Sequence, residues 1–331
     1  MNSELQNSRL AVVLLGTAAG PPPKADRAGI STAIVVDGAS YLFDCGRSAV
    51  TQYQRAGLDY SALRGIFLTH LHADHIADYY NFLMLGGVTT RPGGDQIPAA
   101  LPVYGPGRAQ SLPPTFGGGH VATVAPDLPT PGTTDMTERC HEAFAYSSNL
   151  FMRDTGGRDP RDGVDVHDIA LPATVRASAL GDRAPRMDSF TIMEDDRVRI
   201  TATLVPHGPV FPAFAFRLDS EHGSITLSGD TTRSENLIEM AQSSDILIHE
   251  AIRIHDQRAL TAVGLDHMMQ SHVLVEDVGE IAEAANVPKL VLSHIADTAG
   301  PIDVEKWISL AQRGYRGNVT VGTDLSSILI I

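Results

Sequence analysis

Cysteine, aromatic side chains, basic charge and long apolar runs are all scarce in this chain of 331 residues. Each scarcity excludes something. The only cysteines are Cys45 and Cys140, too few for a disulfide framework, which suits a reducing compartment. Lys and Arg number 25 against 39 Asp and Glu, a net charge of -14. Polyanions are bound through Lys and Arg, so this balance argues against nucleic acid as the main partner. The apolar run Ala11 to Leu15 is too short for a signal-peptide core and lacks a cationic flank. No stretch is long enough to cross a membrane, and a cytoplasmic protein with no membrane partner is expected.

What is present suffices for a sizeable core. Hydrophobic residues make up 43% of the chain, enough for one large domain or two smaller ones. Leu10–Leu15, Ser31–Val36 and Ser40–Phe43 read as strands, the last two joined by the hairpin signal Asp37-Gly38. Gly16 to Gly29 is a loop carrying Pro21-Pro22-Pro23. Ala49 to Ala56 reads as a helix, Ile66–Leu68 as a strand, and Ile76 to Leu85 as one helix closed by Gly86-Gly87. From about Arg91 to Asp196 periodicity weakens, and residues 105–195 are read as an insertion or lid. Regular structure returns with strands at Val198–Val205, Ala213–Leu218, Ser224–Leu227, Asp245–Ile248 and Leu290–Leu292. Helices at Glu276–Ala285 and Val304–Arg313, then strands at Asn318–Val321 and Ile328–Ile331, close the chain.

The densest chemistry is Thr69-His70-Leu71-His72-Ala73-Asp74-His75, directly after the apolar run Gly65 to Leu68. A strand ending in a turn of imidazoles and a carboxylate can hold a metal and leave one side open. Those donors suit zinc, and also iron or manganese. Three further groups follow β-type runs: His207 after Leu204-Val205-Pro206, Asp230 after Ser228-Gly229, and His294 after Leu292-Ser293. Loops at strand ends gather at one edge of a sheet, so these residues are candidate ligands as well.

These segments, with Leu15-Gly16-Thr17 and Leu42-Phe43-Asp44-Cys45-Gly46, resemble the metallo-β-lactamase-fold hydrolases over nearly the whole chain. The likeness is strongest to the ribonuclease Z and arylsulfatase-like branch, through Gly229-Asp230-Thr231, Leu247-Ile248-His249-Glu250-Ala251 and Ser271-His272. The resemblance implies a single four-layer αββα sandwich over residues 1–331, with two mixed sheets, helices outside and the insertion within it. It implies two divalent ions, most simply Zn2+, with Mn2+ or Fe2+ as alternatives. His70, His72 and His207 would bind one ion, Asp74, His75 and His294 the other, and Asp230 both. Asp44 would brace the ligand turn. His272, held by Glu250, would protonate a leaving group, and Asp74 would serve catalysis as a ligand. The nucleophile would be a metal-bridging hydroxide. The resemblance also allows a homodimer.

Gln270-Ser271-His272-Val273 departs from the Gly-His-Ser-Thr of ribonuclease Z, and no basic arm is evident. With the acidic balance, this favours a small-molecule ester as substrate: a phosphodiester, an aryl sulfate or a carboxylic ester such as a lactone. Phe116, Phe144, Tyr146, Phe151, Phe211, Phe214 and Phe216 are candidate pocket walls. The alternatives are a tRNA 3′-processing endonuclease of the ribonuclease Z type, or a non-hydrolytic iron or ligand-binding member of the fold.

Overall fold

The computed structural model describes Leu5 and residues 8–88, 95–115, 118–119, 121–255, 260–298 and 300–330. Phe116, and Ile331 at the end of the expected last strand, lie outside the described residues. The chain divides into two compact units, one of residues 1–107, 131–169 and 323–331, the other of 108–130 and 170–322.

The first unit is built on a mixed sheet of β1 (Leu10–Gly16), β2 (Ser31–Val36), β3 (Ala39–Phe43), β4 (Leu63–Phe67), β5 (Leu101–Pro106), β6 (Val164–Ile169) and β14 (Ser327–Ile330), in the order β14-β1-β2-β3-β4-β5-β6. Asp37 and Gly38 both take positive φ, 45° and 78°, as the tight turn between β2 and β3 requires. From β3 onward β4, β5 and β6 run parallel, so the residues following β3 and β4 emerge at the same sheet edge. One face carries Ala11, Val13, Leu15, Val35, Leu42, Ile66 and Val103 into a buried cluster. There they meet Tyr53 of α1 (Ala49–Arg55) and Tyr60, stacked ring on ring, with Phe82 edge-on to both.

The helix expected over Ile76 to Leu85 is broken into α2 (Ala73–Ile76), α3 (Tyr79–Asn81) and a π-helical turn over Phe82–Val88. Asp78 is the cause. Its N–H donates to the Cys45 carbonyl at 2.8 Å, not to a carbonyl of the preceding turn, and its carboxylate accepts from Val50 N and Asn81 Nδ2.

The second unit is a mixed sheet of β7 (Phe190–Glu194), β8 (Val198–Leu204), β9 (Phe214–Ser220), β10 (Gly223–Leu227), β11 (Ile246–Arg253), β12 (Lys289–Asp297) and β13 (Asn318–Val321), in the order β13-β12-β11-β10-β9-β8-β7. The later strands β10 to β13 are parallel and bring their C-terminal ends together. Helices α6 (Glu235–Met240), α8 (Val278–Ala284) and α9 (Val304–Ala311) bury Leu237, Ile281 and Trp307 against this sheet.

The stretch 105–195 is more regular than its sequence suggests. It holds α4 (Thr133–Ala143) and α5 (Ala145–Thr155), and the edge strands β6 and β7. On α5 only Ser148 is buried, so the helix carries almost no apolar stripe to read. The same holds for α7 (Ala262–Ser271), which was not anticipated and buries only Ser271. Phe214 and Phe216 are core residues, whereas Phe144, Tyr146 and Phe151 lie exposed around α5. Among the described residues no helix is long and apolar enough to cross a membrane.

Trp307 is fully buried and its indole N–H donates to Asp297 Oδ2 at 3.2 Å. Trp307→Ala should therefore cost about 3–5 kcal/mol, read as a lowered urea midpoint by circular dichroism. His249 on β11 is also fully buried, its Nδ1 donating to the Glu250 carbonyl at 2.6 Å. Burial pushes its pKa below the ordinary 6.5, so the unfolded chain takes up this proton first as pH falls. The metal-free protein should lose stability below about pH 6.5, by up to about 1.4 kcal/mol per pH unit from this group. His249→Gln should remove that share, seen as a smaller difference between urea midpoints at neutral and acid pH.

Candidate metal centre

In the first unit the ligand turn hangs on Asp44. Parallel pairing of β3 with β4 sets Phe43 beside Phe67, so Asp44 and Thr69 emerge as neighbours. Asp44 adopts a left-handed backbone, φ 56°, at a cost of about 1–3 kcal/mol for a residue with a side chain. Its carboxylate then accepts three hydrogen bonds, from Thr69 N, Thr69 Oγ1 and His75 Nδ1, each at 2.8 Å. Thr69 Oγ1 also lies 3.1 Å from His70 Nδ1. The rings of His70 and His72 approach to 4.7 Å and those of His70 and His75 to 4.0 Å. Asp74 Oδ2 stands 3.7 Å from His75 Nε2. His70, Asp74 and His75 are buried and His72 is partly exposed, so the turn is lined by donors and open beside His72.

In the second unit the sheet edge supplies another set. His207 follows β8, and its Nδ1 donates to the Ser271 carbonyl at 2.8 Å. That leaves Nε2 facing Asp230 Oδ2, 3.8 Å away. Gly229, at φ 58°, turns the chain out of β10 to present Asp230. His294 lies within β12, where pairing with β11 slips by one residue between His249 and Ala251. Its left-handed φ of 57° re-aims the ring, which puts Nδ1 3.2 Å from Asp230 Oδ1.

His272 caps α7 and stacks on His294 with centroids 5.8 Å apart. Its Nδ1 is 3.2 Å from Glu250 Oε1 and 4.0 Å from Asp230 Oδ2. Glu250, on β11, is buried and ties the loop after β10 to the segment after α7. Its Oε1 also accepts from Val273 N at 3.1 Å and Thr231 N at 3.3 Å, and its own N–H donates to Ser228 Oγ.

The donors fit divalent ions. Ligand atoms about 2.0–2.2 Å from one ion lie about 3–3.6 Å apart, close to the 3.7 and 3.8 Å separations of Asp74 from His75 and of His207 from Asp230. His207, Asp230 and His272 offer atoms within 4.8 Å of one another, as do Glu250, His272 and His294. In His75 and His207 the Nδ1 proton is held by an oxygen acceptor, which leaves the Nε2 lone pair for a cation. This mix of imidazole and carboxylate does not choose among zinc, manganese and iron.

The nine candidate metal and catalytic residues fall into two clusters: His70, His72, Asp74 and His75 in the first unit, and His207, Asp230, Glu250, His272 and His294 in the second. Sequence reasoning missed Thr69, whose place beside the first histidine was a usable signal. It also missed the Ser271 carbonyl, which holds His207, and the Gly20 N–H, which donates to Asp74 Oδ2, backbone groups with no residue signature.

The sequence and the fold have relatives. Residues 26–143 match the model of the metallo-beta-lactamase superfamily. A ribonuclease Z of Mycobacterium bovis (strain BCG / Pasteur 1173P2) is 28% identical over 96% of this chain and 98% of its own. A ribonuclease Z of Mycobacterium avium (strain 104) is 29% identical over 97% and 98%. Among solved structures, human tRNase Z, short form, superposes with a TM-score of 0.63 at 20% identity, over 97% of this chain and 99% of its own. The metallo-beta-lactamase fold protein YhfI from Bacillus subtilis superposes with the same score at 16% identity, over 96% and 99%.

The relatives correct two expectations. The arylsulfatase side of the likeness finds no support in them. Nucleic acid as an unlikely partner is overturned, because the sequence relatives are ribonucleases. Net charge averages a whole surface, whereas a polynucleotide reads a local field. Despite the total of -14, Arg47, in the segment after β3, comes against the loop that carries Lys24 and Arg27, its guanidinium donating to the Lys24 and Arg27 carbonyls. The chain has the metallo-β-lactamase fold, and each of its two units carries a set of donors suited to metal ions.

Proposed function

We propose that this protein is a divalent-metal-dependent phosphodiesterase that cleaves RNA, of the tRNA 3′-processing type. The observation that carries the proposal is the His272–Glu250 pair beside Asp230. A proton donor held by a buried carboxylate suits a reaction that expels an alkoxide, because such a leaving group needs a proton. The names of the sequence relatives support RNA over a small-molecule ester.

In this reading His70, His72 and His207 hold one ion, Asp74, His75 and His294 the other, and Asp230 serves both. Zinc is the expected ion. Two bound divalent ions would neutralise charge on the scissile phosphodiester and make a water acidic enough to attack near neutral pH. The protein groups supply the rest. Asp44 and the Ser271 carbonyl hold Nδ1 of His75 and His207, so each ring is fixed in tautomer and angle. Glu250 holds Nδ1 of His272, so Nε2 is the atom that passes a proton to the departing ester oxygen.

The test is cleavage of a precursor tRNA by the zinc-loaded protein, with aryl phosphodiester, aryl sulfate and lactone substrates assayed beside it. Cleavage at the 3′ side of the tRNA is expected, and a chelator should abolish it. Turnover of a small ester with no tRNA cleavage would sink the reading. His272→Ala should lower kcat about 10²–10⁴-fold with zinc content unchanged. If that variant also loses zinc, His272 is a ligand and not a proton donor. Asp230→Ala should lose both ions, by elemental analysis. Asp44→Asn, which removes the acceptor for His75 Nδ1, should weaken zinc binding about 10–100-fold in a dialysis titration.

A further inference from the structure

One hydrogen bond to Asp74 comes from outside the ligand turn. The Gly20 N–H, in the loop after β1, donates to Asp74 Oδ2 at 3.1 Å. That loop is clamped at both ends by a single carboxylate. Asp324 Oδ1 accepts from Thr17 Oγ1 at 2.8 Å, and Asp324 Oδ2 accepts from Ala28 N at 2.5 Å. Thr17 Oγ1 in turn accepts from Arg27 Nη1 at 2.6 Å, which closes the loop on itself.

Beneath the loop the backbone is packed without slack. A Cβ on Gly16 would strike the Gly29 carbonyl. One on Gly29 would meet Arg47 N at 2.5 Å, and one on Gly46 would meet the carbonyl of Asp74 itself at 2.5 Å. Glycine is the one residue that permits these three approaches. The base of the loop and the main chain of Asp74 are thus in backbone-to-backbone register. Above that base, the contact that reaches the Asp74 side chain is the Gly20 N–H.

We propose that Asp324 is a positioning residue for Asp74: by clamping both ends of the loop from Thr17 to Ala28, it keeps the Gly20 N–H on the carboxylate. The carboxylate is thereby held in the orientation needed for the cation that it shares with His75. A carboxylate oxygen has lone pairs enough to accept this hydrogen bond and bind a cation at once. The proposal rests on the reading of Asp74 as a metal ligand, and the controls separate the two.

The experiment titrates the full chain with zinc alone, by equilibrium dialysis, and follows melting of the zinc-free protein. Asp324→Ala and the near-isosteric Thr17→Val should each weaken one of two zinc affinities by about 10–100-fold and leave the other within about threefold. Thr17→Ser, which keeps the hydroxyl, should restore wild-type affinity. The Thr17 pair carries the test alone if Asp324→Ala does not fold. Two unchanged affinities in Thr17→Val and Asp324→Ala, where Asp74→Ala loses one ion, overturn the inference and leave Asp74 a ligand. Equal weakening of both affinities overturns it too, since the loop would then support the whole turn. If Asp74→Ala binds both ions as the wild type does, the ligand reading itself fails.

Discussion

The Asp44 carboxylate is the point on which the first unit's ligand set depends. It sits in the low-dielectric interior at the end of β3, in a backbone conformation that costs energy, and it accepts from both the main chain and side chain of Thr69 and from His75. Those bonds fix where the chain leaves β4 and which nitrogen of His75 carries its proton. A histidine that can rotate, or shift its proton between nitrogens, is a poor ligand, because part of the binding energy is lost in ordering it. Parallel strands make the arrangement possible: β3 and β4 end side by side, so a residue after one can brace the turn after the other.

The second unit solves the same problem by different means. His207 is held by a backbone carbonyl, His294 by a register slip and a left-handed residue, and Asp230 by a glycine-led turn. Glu250 joins the loop after β10 to the segment after α7, which ties the acid candidate His272 to the loop that presents Asp230. Strain at Asp44 and at His294 falls at residues of the candidate centre, where backbone cost is tolerated because the aim of a side chain is gained.

The exclusion of nucleic acid is the expectation on which composition misleads. An acidic total was read as evidence against a polyanion, and the relatives reverse that reading. Coulomb forces are screened over about 10 Å at 0.1 M salt, so a net charge summed over the whole chain says little about the field at any one place on its surface.

Much of this protein was legible before folding. Alternating and continuous apolar runs marked the strands, Asp37-Gly38 marked its hairpin, and the donors of His70 to His75 with His207, Asp230 and His294 were visible as residue types after β-runs. These signals are local, and local chemistry is written in the order of residues. The break of the helix at Asp78, the weakly striped helices α5 and α7, the support of His207 by a carbonyl and the reach of Asp324 to Thr17 were decided only by tertiary structure. The two helices bury almost no apolar side chain, and the other three depend on a backbone group or on a partner hundreds of residues away in the chain. A backbone amide or carbonyl is the same in every residue, so its use becomes visible only where folding brings its partner within hydrogen-bonding distance.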